Sequence, residues 1–295
     1  MGHVLVVGSV NVDRILRLAA PLGGGGRVSV VGTELRCGGG GFATGAALLA
    51  LGHRVSLVAT LAGDEAGRAC RAVLERLGFD LRHLVASETP TVPLEIFVDP
   101  LGERTIVAPA TSEARRLTAL PAIAADLAYV NVRRADPGVL EDLAHRARVV
   151  AQVPLEAGER RPAEVLIASA SDHAFALGAG AFDHARRIGG PGLKALVATD
   201  GPRPVRLCEA GGNSAVALAP TDPPEDTAPD APRDSTGAGD VFAAGFIDGC
   251  LRGSAYAACV RRGSETAARF LADRDAFWRD AGLALEMRLA TPRPA

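Results

Sequence analysis

The chain has 295 residues, of which 48% are hydrophobic, and its formal net charge is -2 at pH 7. A chain of this kind can bury a large core as one α/β domain or two smaller ones, and its balanced charge favours neither nucleic acid nor a membrane surface as a partner. The five cysteines are scattered without CxxC spacing, and no leader or run of ~18 apolar residues is apparent. We therefore expect a reduced, cytoplasmic protein without a disulfide framework or a zinc site.

Apolar runs of strand length alternate with longer helix-like stretches, a pattern typical of a parallel sheet that is covered by helices on both faces. Strands are predicted at residues 3–8, 54–61, 127–132, 149–153, 165–168 and 193–199. Helices are predicted at residues 42–51, 66–77, 139–146 and 241–247, and Gly52 and Gly78 end the first two.

Two stretches break this alternation. Residues 15–36 and 91–107 contain β-branched residues and Gly or Pro turns but no helical period, so they predict a small separate β layer. Residues 220–232 are rich in Pro, Asp and Thr and are expected to form a surface loop that leads to Asp234.

The most informative motif is DSTGAGD at residues 234–240, which runs directly into the helix predicted at 241–247. Small residues before a helix leave backbone N–H groups bare at the positive end of the helix dipole. The motif therefore predicts an anion hole at Gly237, Ala238 and Gly239. Asp240 would lie beside this hole, where its carboxylate can take a proton from an attacking hydroxyl.

This motif resembles the C-terminal signature of the ribokinase-like, phosphofructokinase-B family of sugar kinases, which reads Asp-Thr-Thr-Gly-Ala-Gly-Asp before a hydrophobic helix. Further blocks resemble the family in the same order, at residues 6–13, 38–41, 63–67 and 199–201. The resemblance implies a single domain over residues 1–295 with a three-layer α/β/α sandwich and a mostly parallel central sheet. Residues 15–36 and 91–107 would form its small β-sheet lid.

The resemblance also implies an ATP-dependent kinase that phosphorylates a hydroxyl or hydroxymethyl group of a small sugar or sugar-like molecule. Asp240 would be the base, and Gly237, Ala238 and Gly239 the anion hole. Residues that match the family's substrate end are Asn11, Asp13, Gly38 and Gly39. Residues that match its nucleotide end are Thr199, Gly201, Gly237 and Gly239.

ATP and Mg²⁺ are the cofactors that the resemblance implies, and Asp234 and Thr236 match positions that help hold a monovalent cation such as K⁺. The lid would exclude water from the site. A homodimer through the lid is expected as well, because an uncovered β layer invites edge or face pairing.

The chain departs from the family pattern at several positions. Gly40 and Ala43 stand where the family often has Lys and Asn, and the family's Asn-x-x-Glu motif aligns with residues 170–173, which leaves only Asp172 as a substitute near magnesium. The Gly-Ala pair that usually closes the last ATP-site helix is not evident around residues 272–273.

A family Glu beside the sugar falls at Arg133, where a guanidinium would favour an anionic substrate such as a sugar acid or sugar phosphate. Arg104 from the lid would then assist Arg133. The alternative is that Arg133 turns outward and pairs with an acidic side chain such as Asp136.

Other functions are also compatible with parts of the sequence. Gly38-x-Gly40-x-x-Ala43 with Asp64 about twenty residues on fits a dinucleotide-binding fingerprint and would make the protein a dehydrogenase, but such a fingerprint belongs in the first βα turn. Asn11 and Asp13 would, without the resemblance, fit a simple turn after a strand. A nucleoside or vitamin kinase of the same superfamily and a pseudokinase that binds a sugar or nucleotide without turnover remain open.

Overall fold

The computed structural model describes residues 1–110, 116–156, 158–170, 180–216 and 235–282. In these ranges the chain forms sixteen strands and seven helices. The strands are β1 (His3–Gly8), β2 (Asn11–Leu18), β3 (Val30–Gly38), β4 (Arg54–Val58), β5 (Thr60–Ala62), β6 (Val85–Ser87), β7 (Leu94–Val98), β8 (Arg104–Val107), β9 (Arg116–Leu117), β10 (Leu127–Asn131), β11 (Arg134–Ala135), β12 (Val149–Gln152), β13 (Val165–Ser169), β14 (Ala195–Asp200), β15 (Arg203–Glu209) and β16 (Gly212–Val216). The helices are α1 (Gly40–Ala50), α2 (Glu65–Leu77), α3 (Pro137–Arg146), α4 (Ala181–Gly189), α5 (Ala238–Leu251), α6 (Tyr256–Ala272) and α7 (Arg274–Asp280). Within the same ranges, no helix combines the length and the apolar character needed to cross a membrane.

The central sheet has eight strands in the order β16-β15-β14-β13-β12-β10-β1-β4. Neighbours from β14 to β4 run parallel, and β15 and β16 continue the sheet antiparallel at one edge. Alternate residues of β1 point to opposite faces: Val4 and Val6 pack in a buried cluster with residues of α1, α2, α5 and α6, whereas Leu5 and Val7 pack in a second cluster with residues of α3 and α4. The predicted three-layer α/β/α sandwich is therefore confirmed.

Most of the observed elements lie close to the predicted ones, with two differences. The strand predicted over residues 54–61 is divided at Ala59 into β4, which pairs with β1, and β5, which pairs with β6 in another sheet. Several observed elements have no counterpart among the predicted ones: the strands β6, β9, β11, β15 and β16 and the helices α4, α6 and α7. Helix α2 ends as predicted at Gly78, whose φ of 88° favours glycine. The loop predicted at residues 220–232 lies outside the described residues.

Residues 15–36 and 91–107 contribute to one small sheet, in the order β3-β2-β7-β8. β2 pairs with β3 antiparallel and with β7 parallel, and β8 pairs with β7 antiparallel. The two outer strands expose large apolar side chains to solvent: Val30 is 48% exposed, Val31 68%, Ile106 49% and Val107 52%. The small sheet is joined to the sandwich directly, since β2 follows β1 after two residues and β3 leads into α1.

Candidate active site

The carboxyl ends of the parallel strands form one edge of the central sheet, and several elements meet there. β1 ends at Gly8, β10 at Asn131 and β14 at Asp200. β14 and β1 are four strand spacings apart, which at ~4.8 Å each gives this edge a length of about 19 Å between them. Helices α1 and α5 also begin at this edge. Gly41 N–H of α1 donates to the Ser9 carbonyl just after β1 at 3.0 Å, and Thr44 of α1 contacts Asp240 of α5 near the starts of both helices. A crevice outside the carboxyl ends of parallel strands is the usual ligand site of such a sheet.

Asp240 lies partly buried in the first turn of α5 at this edge. Its Oδ1 accepts hydrogen bonds from Asn131 Nδ2 at 3.2 Å and from Thr44 Oγ1 at 3.4 Å. Burial raises the pKa of the Asp240 carboxyl to about 7, and the negative charge of Asp13 adds to the rise, whereas the Thr44 hydrogen bond and the positive charge of Arg104 oppose it. Asp240 therefore exchanges its proton near neutral pH.

The turn before α5 exposes backbone N–H groups at the positive end of that helix. Gly237 has a φ of 87°, a conformation that favours glycine. In the described part of the chain, the N–H groups of Gly239 and Asp240 have no acceptor. The expected anion hole needs one correction, because Ala238 N–H donates to the Ser235 carbonyl at 3.1 Å and is not free to bind a ligand.

Asn11, Asp13, Gly38 and Gly39 lie together where the small sheet meets α1. The register of β2 and β3 places Asn11 opposite Gly38, so Asn11 and Asp13 belong to a strand and not to a simple turn. A Cβ on Gly38 would lie 1.9 Å from Asp13 Oδ2, and a Cβ on Gly39, whose φ is 95°, would lie 2.6 Å from the Ser9 carbonyl oxygen. Both glycines are required by close approach to neighbouring oxygen atoms.

The Asp13 carboxyl is buried in this cluster. Its Oδ1 has no hydrogen-bond partner in the described structure. Burial raises the pKa of Asp13 to about 6, and the positive charge of Arg36 partly offsets the rise. A buried carboxylate oxygen without a donor is costly, and an arriving hydroxyl would supply that donor.

Sequence patterns missed four residues that support Asp240, which are Thr44, Tyr129, Asn131 and Arg161. Asn131 Nδ2 also donates to the Tyr129 hydroxyl at 3.3 Å, and this hydroxyl, which is fully buried, hydrogen-bonds to Thr44. Burial raises the pKa of Tyr129, so the phenol stays protonated. Arg161, only 2% exposed, donates to the carbonyls of residues 132 and 133 at 2.7 and 3.3 Å and thereby holds the segment that follows Asn131. Only Asn131 had a signal in the sequence, as a polar residue at the end of a predicted strand.

Gly40 explains how Asn131 reaches Asp240. A Cβ at position 40 would lie 2.0 Å from Asn131 Nδ2, so a side chain there would displace the amide. Gly40 departs from the family pattern, and the space that its missing side chain leaves is occupied by the Asn131 amide at the end of β10.

Arg133 pairs with an acidic side chain. Its Nε donates to Glu156 Oε1 at 3.1 Å, and Arg134 contacts the other oxygen of the same carboxylate. Both cations hold the pKa of Glu156 below its ordinary value. The structure therefore favours the alternative in which Arg133 pairs with an acidic side chain. The partner is Glu156 and not Asp136, which lies 3.7 Å from Arg116 Nη1.

The residues expected at the nucleotide end lie at the opposite end of the same edge. Thr199 Oγ1 donates to the Ala168 carbonyl at 3.2 Å, and Gly201, with φ 56°, forms the turn from β14 to β15. Asp200 accepts two hydrogen bonds from Arg203, both at 2.6 Å, as a turn residue would.

The residues expected near metal ions are only partly described. Asp172 and Asp234 lie outside the described residues. Across the described ranges, no group of three or more His, Cys, Asp or Glu side chains could hold a metal ion. The Thr236 carbonyl accepts a hydrogen bond from Arg274 Nη2 at 2.7 Å.

The dinucleotide fingerprint does not fit the observed topology. β3, the strand before Gly38, belongs to the small sheet, where it runs antiparallel to β2. Asp64 caps α2, since it accepts hydrogen bonds from Gly67 N–H at 2.8 Å and from Thr91 N–H at 2.6 Å. Neither half of the fingerprint therefore has the arrangement that a dehydrogenase requires.

Solved structures of sugar and nucleoside kinases define the class of fold. Ribokinase from Thermotoga maritima matches with a TM-score of 0.69 and 16% identity over 97% of this chain and 100% of that chain. The nucleoside kinase of Methanocaldococcus jannaschii matches with a TM-score of 0.68 and 15% identity, over 96% of this chain and 98% of its own. Burkholderia thailandensis nucleoside kinase, solved in complex with inosine, matches with a TM-score of 0.66 and 17% identity over 99% and 100% of the two chains. At these identities the likeness shows the fold, which is that of the ribokinases.

The sequence of the second half carries the family signal. The model of the pfkB family of carbohydrate kinases matches residues 161–275, a segment that includes the 234–240 motif and α5. No curated protein sequence matches the chain significantly. The resemblance that the motifs suggested is confirmed at this level: the protein has the ribokinase fold, and residues 161–275 match the model of the pfkB family of carbohydrate kinases.

Proposed function

We propose that the protein is an ATP-dependent kinase that phosphorylates a hydroxyl or hydroxymethyl group of a small sugar or sugar-like molecule. The observation that carries this proposal is the position of Asp240. Its carboxylate lies in the first turn of α5, within electrostatic range of Asp13 and beside the N–H groups of Gly239 and Asp240, which have no acceptor among the described residues. The proposal assigns a base, an anion site and a polyol site to this one edge of the sheet.

In the proposed reaction, the Asp240 carboxylate accepts the proton of the substrate hydroxyl. The hydroxyl oxygen forms a bond to the γ-phosphorus of ATP, the bond from that phosphorus to the β–γ bridging oxygen breaks, and ADP leaves. Oδ1 of Asp240 is engaged by Asn131 and Thr44, so Oδ2 is the oxygen that receives the proton. A pKa of about 7 suits a base that must be ionised before attack and accept a proton during it.

The other residues of the site orient the reactants. Asn11 and Asp13 bind hydroxyl groups of the acceptor, since the amide donates and the free Asp13 Oδ1 accepts. Gly38 and Gly39 let the backbone approach the acceptor closely. Thr199 and Gly201, about 19 Å along the edge from β1, are assigned to the nucleotide. Mg²⁺, bound to the ATP phosphates, would neutralise part of their charge.

Relatives of the same fold leave the acceptor class open between sugars and nucleosides. A ribokinase and two nucleoside kinases match the fold equally well, with TM-scores of 0.69, 0.68 and 0.66. A vitamin kinase of the same superfamily and a pseudokinase that binds without turnover are the further alternatives. The retained Asp240 supports turnover, because a binding protein has no need of a base with a raised pKa.

The experiment is a screen of ADP release with ATP and a panel of neutral sugars, sugar acids, sugar phosphates and nucleosides. The proposal expects turnover on at least one acceptor and near background rates on the others. Binding of acceptors and ATP without any ADP release would support the pseudokinase instead. Turnover on nucleosides alone would replace the sugar by a nucleoside as the substrate.

We further propose that the small sheet acts as a lid and that a second copy of the chain covers it. The apolar side chains exposed on its outer strands, 68% at Val31 and 52% at Val107, support this proposal. Light scattering should report a dimer for the wild type and for Val85→Glu, a control that changes an exposed valine outside this sheet. Val31→Glu and Val107→Glu should each give monomers, and a monomeric wild type would contradict the proposal.

A further inference from the structure

The turn that leads into α5 is held by a positively charged side chain from the C-terminal part of the described chain. Arg274, the first residue of α7, donates from Nη2 to the Thr236 carbonyl at 2.7 Å. A charged donor makes this a strong hydrogen bond. Thr236 immediately precedes Gly237, whose φ of 87° sets the direction of the following N–H groups.

Aromatic packing fixes the position of this guanidinium. The Arg274 guanidinium carbon lies 4.7 Å from the centroid of the Phe270 ring, in a cation–π contact. Phe277 and Trp278 pack edge-on against the same ring, with centroid distances of 5.6 and 5.7 Å. Phe270 Cζ also lies 3.7 Å from the position of a Cβ on Gly237, so one aromatic cluster supports both the cation and the turn.

A monovalent cation at Thr236 does not fit this arrangement. Such an ion binds through several oxygen lone pairs, and the Thr236 carbonyl already accepts a hydrogen bond from a guanidinium. A second positive charge placed next to Arg274 would be repelled, since both lie in a partly buried setting where charges are weakly screened. The Arg274 contact therefore argues against the K⁺ site that the resemblance implies at Thr236.

We propose that Arg274 is a positioning residue that takes the place of a monovalent cation, so that the anion-hole turn forms without K⁺ or Na⁺. This inference rests on the proposed function, because the turn is taken to bind the phosphates of ATP. Arg274 acts through the Thr236 carbonyl and Gly237, and it does not touch the reacting atoms.

The test compares the wild type, Arg274→Ala and Arg274→Lys in KCl and in tetramethylammonium chloride at one ionic strength. Arg279→Ala is the matched control, because it removes a positive charge from an exposed position of the same helix. The affinity for ATP is measured by calorimetry, ADP release is measured with the best acceptor, and the midpoint of thermal unfolding is measured without nucleotide.

The wild type and Arg279→Ala should show the same ATP affinity in both salts. Arg274→Ala should bind ATP at least about tenfold more weakly in tetramethylammonium, the loss that corresponds to one charged hydrogen bond, and should recover part of it in K⁺ or with added guanidinium. Arg274→Lys keeps the positive charge, so its affinity for ATP in tetramethylammonium should lie between those of the wild type and Arg274→Ala.

A wild type that K⁺ stimulates about tenfold or more over tetramethylammonium would overturn the proposal, as would Arg274→Ala with unchanged affinity in both salts. If Arg274→Ala does not fold, the comparison of wild-type ATP affinity in the two salts still tests whether the turn needs K⁺. A wild type that binds ATP equally in both salts but phosphorylates no acceptor would refute the proposed kinase and leave the role of Arg274 intact. If the wild type does not bind ATP, its unfolding midpoint decides, since specific stabilisation by K⁺ over tetramethylammonium would contradict the proposal.

Discussion

Replacement of Asp240 by Asn separates the chemistry of this residue from its structural role. The Asn side chain keeps the Oδ1 atom that accepts hydrogen bonds from Asn131 at 3.2 Å and Thr44 at 3.4 Å. It removes only the ability to take a proton. We expect kcat to fall on the order of 10²-fold or more while ATP still binds, and the wild-type rate to rise with pH through about 7 as the carboxyl ionises.

The same substitution should raise stability, because the site holds a carboxyl that is costly to ionise when it is buried. Burial raises the pKa of Asp240 from 3.8 to about 7, a difference of about 3 units and an upper limit of about 4 kcal/mol. The unfolded chain releases this proton near pH 4 and the folded chain near pH 7. The wild type therefore loses stability as the pH rises from about 4 through about 7, whereas the variant has no such loss.

The assay is urea denaturation of the wild type and Asp240→Asn at about pH 5 and about pH 8.5. The advantage of the variant should grow by about 3 kcal/mol or less between these two pH values. Asp80→Asn is a control of opposite sign, because Arg82 holds the pKa of Asp80 below its ordinary value and the loss of that pair should lower stability at neutral pH. An Asp240→Asn variant that turns over like the wild type would remove Asp240 from its assigned role. A variant that is less stable at about pH 8.5 would refute the account of its burial.

Three further substitutions test contacts at the site and in the core. Gly38→Ala should raise KM for the acceptor at least about tenfold, since its Cβ would lie 1.9 Å from Asp13 Oδ2, while Gly24→Ala, with open space around it, should match the wild type in the same assay. Arg133→Ala should leave KM for a neutral acceptor unchanged, because its guanidinium pairs with Glu156; a higher KM confined to an anionic acceptor would instead favour the charge hypothesis. Asp248→Asn should lower the free energy of unfolding by about 1–3 kcal/mol in urea titration, because Asp248 is fully buried and contacts His53, Arg252 and Arg262; an unchanged free energy of unfolding would show that this network contributes little.

The sequence alone determined the layers of the fold and the local form of the site. The alternation of apolar runs predicted the parallel sheet, because a strand buried on both faces has to be apolar along its whole length. Small residues before α5 predicted a helix start with exposed N–H groups, because that property depends on neighbours within one turn. The boundary between β4 and β5 was missed, because both strands are apolar and only their pairing with different sheets divides them.

The tertiary structure decided which side chains contact Asp240 and which side chain contacts the turn before α5. Asn131 and Asp240 are 109 positions apart and Thr44 and Asp240 are 196 apart, so no local pattern relates them. Their meeting depends on strand order, which brings β10 and β1 next to each other, and on the helix starts above that edge. Arg274 likewise reaches the Thr236 carbonyl across 38 positions, through the packing of α6 and α7. Such contacts depend on the distances between elements in the folded chain, which the spacing of residues along the sequence does not specify.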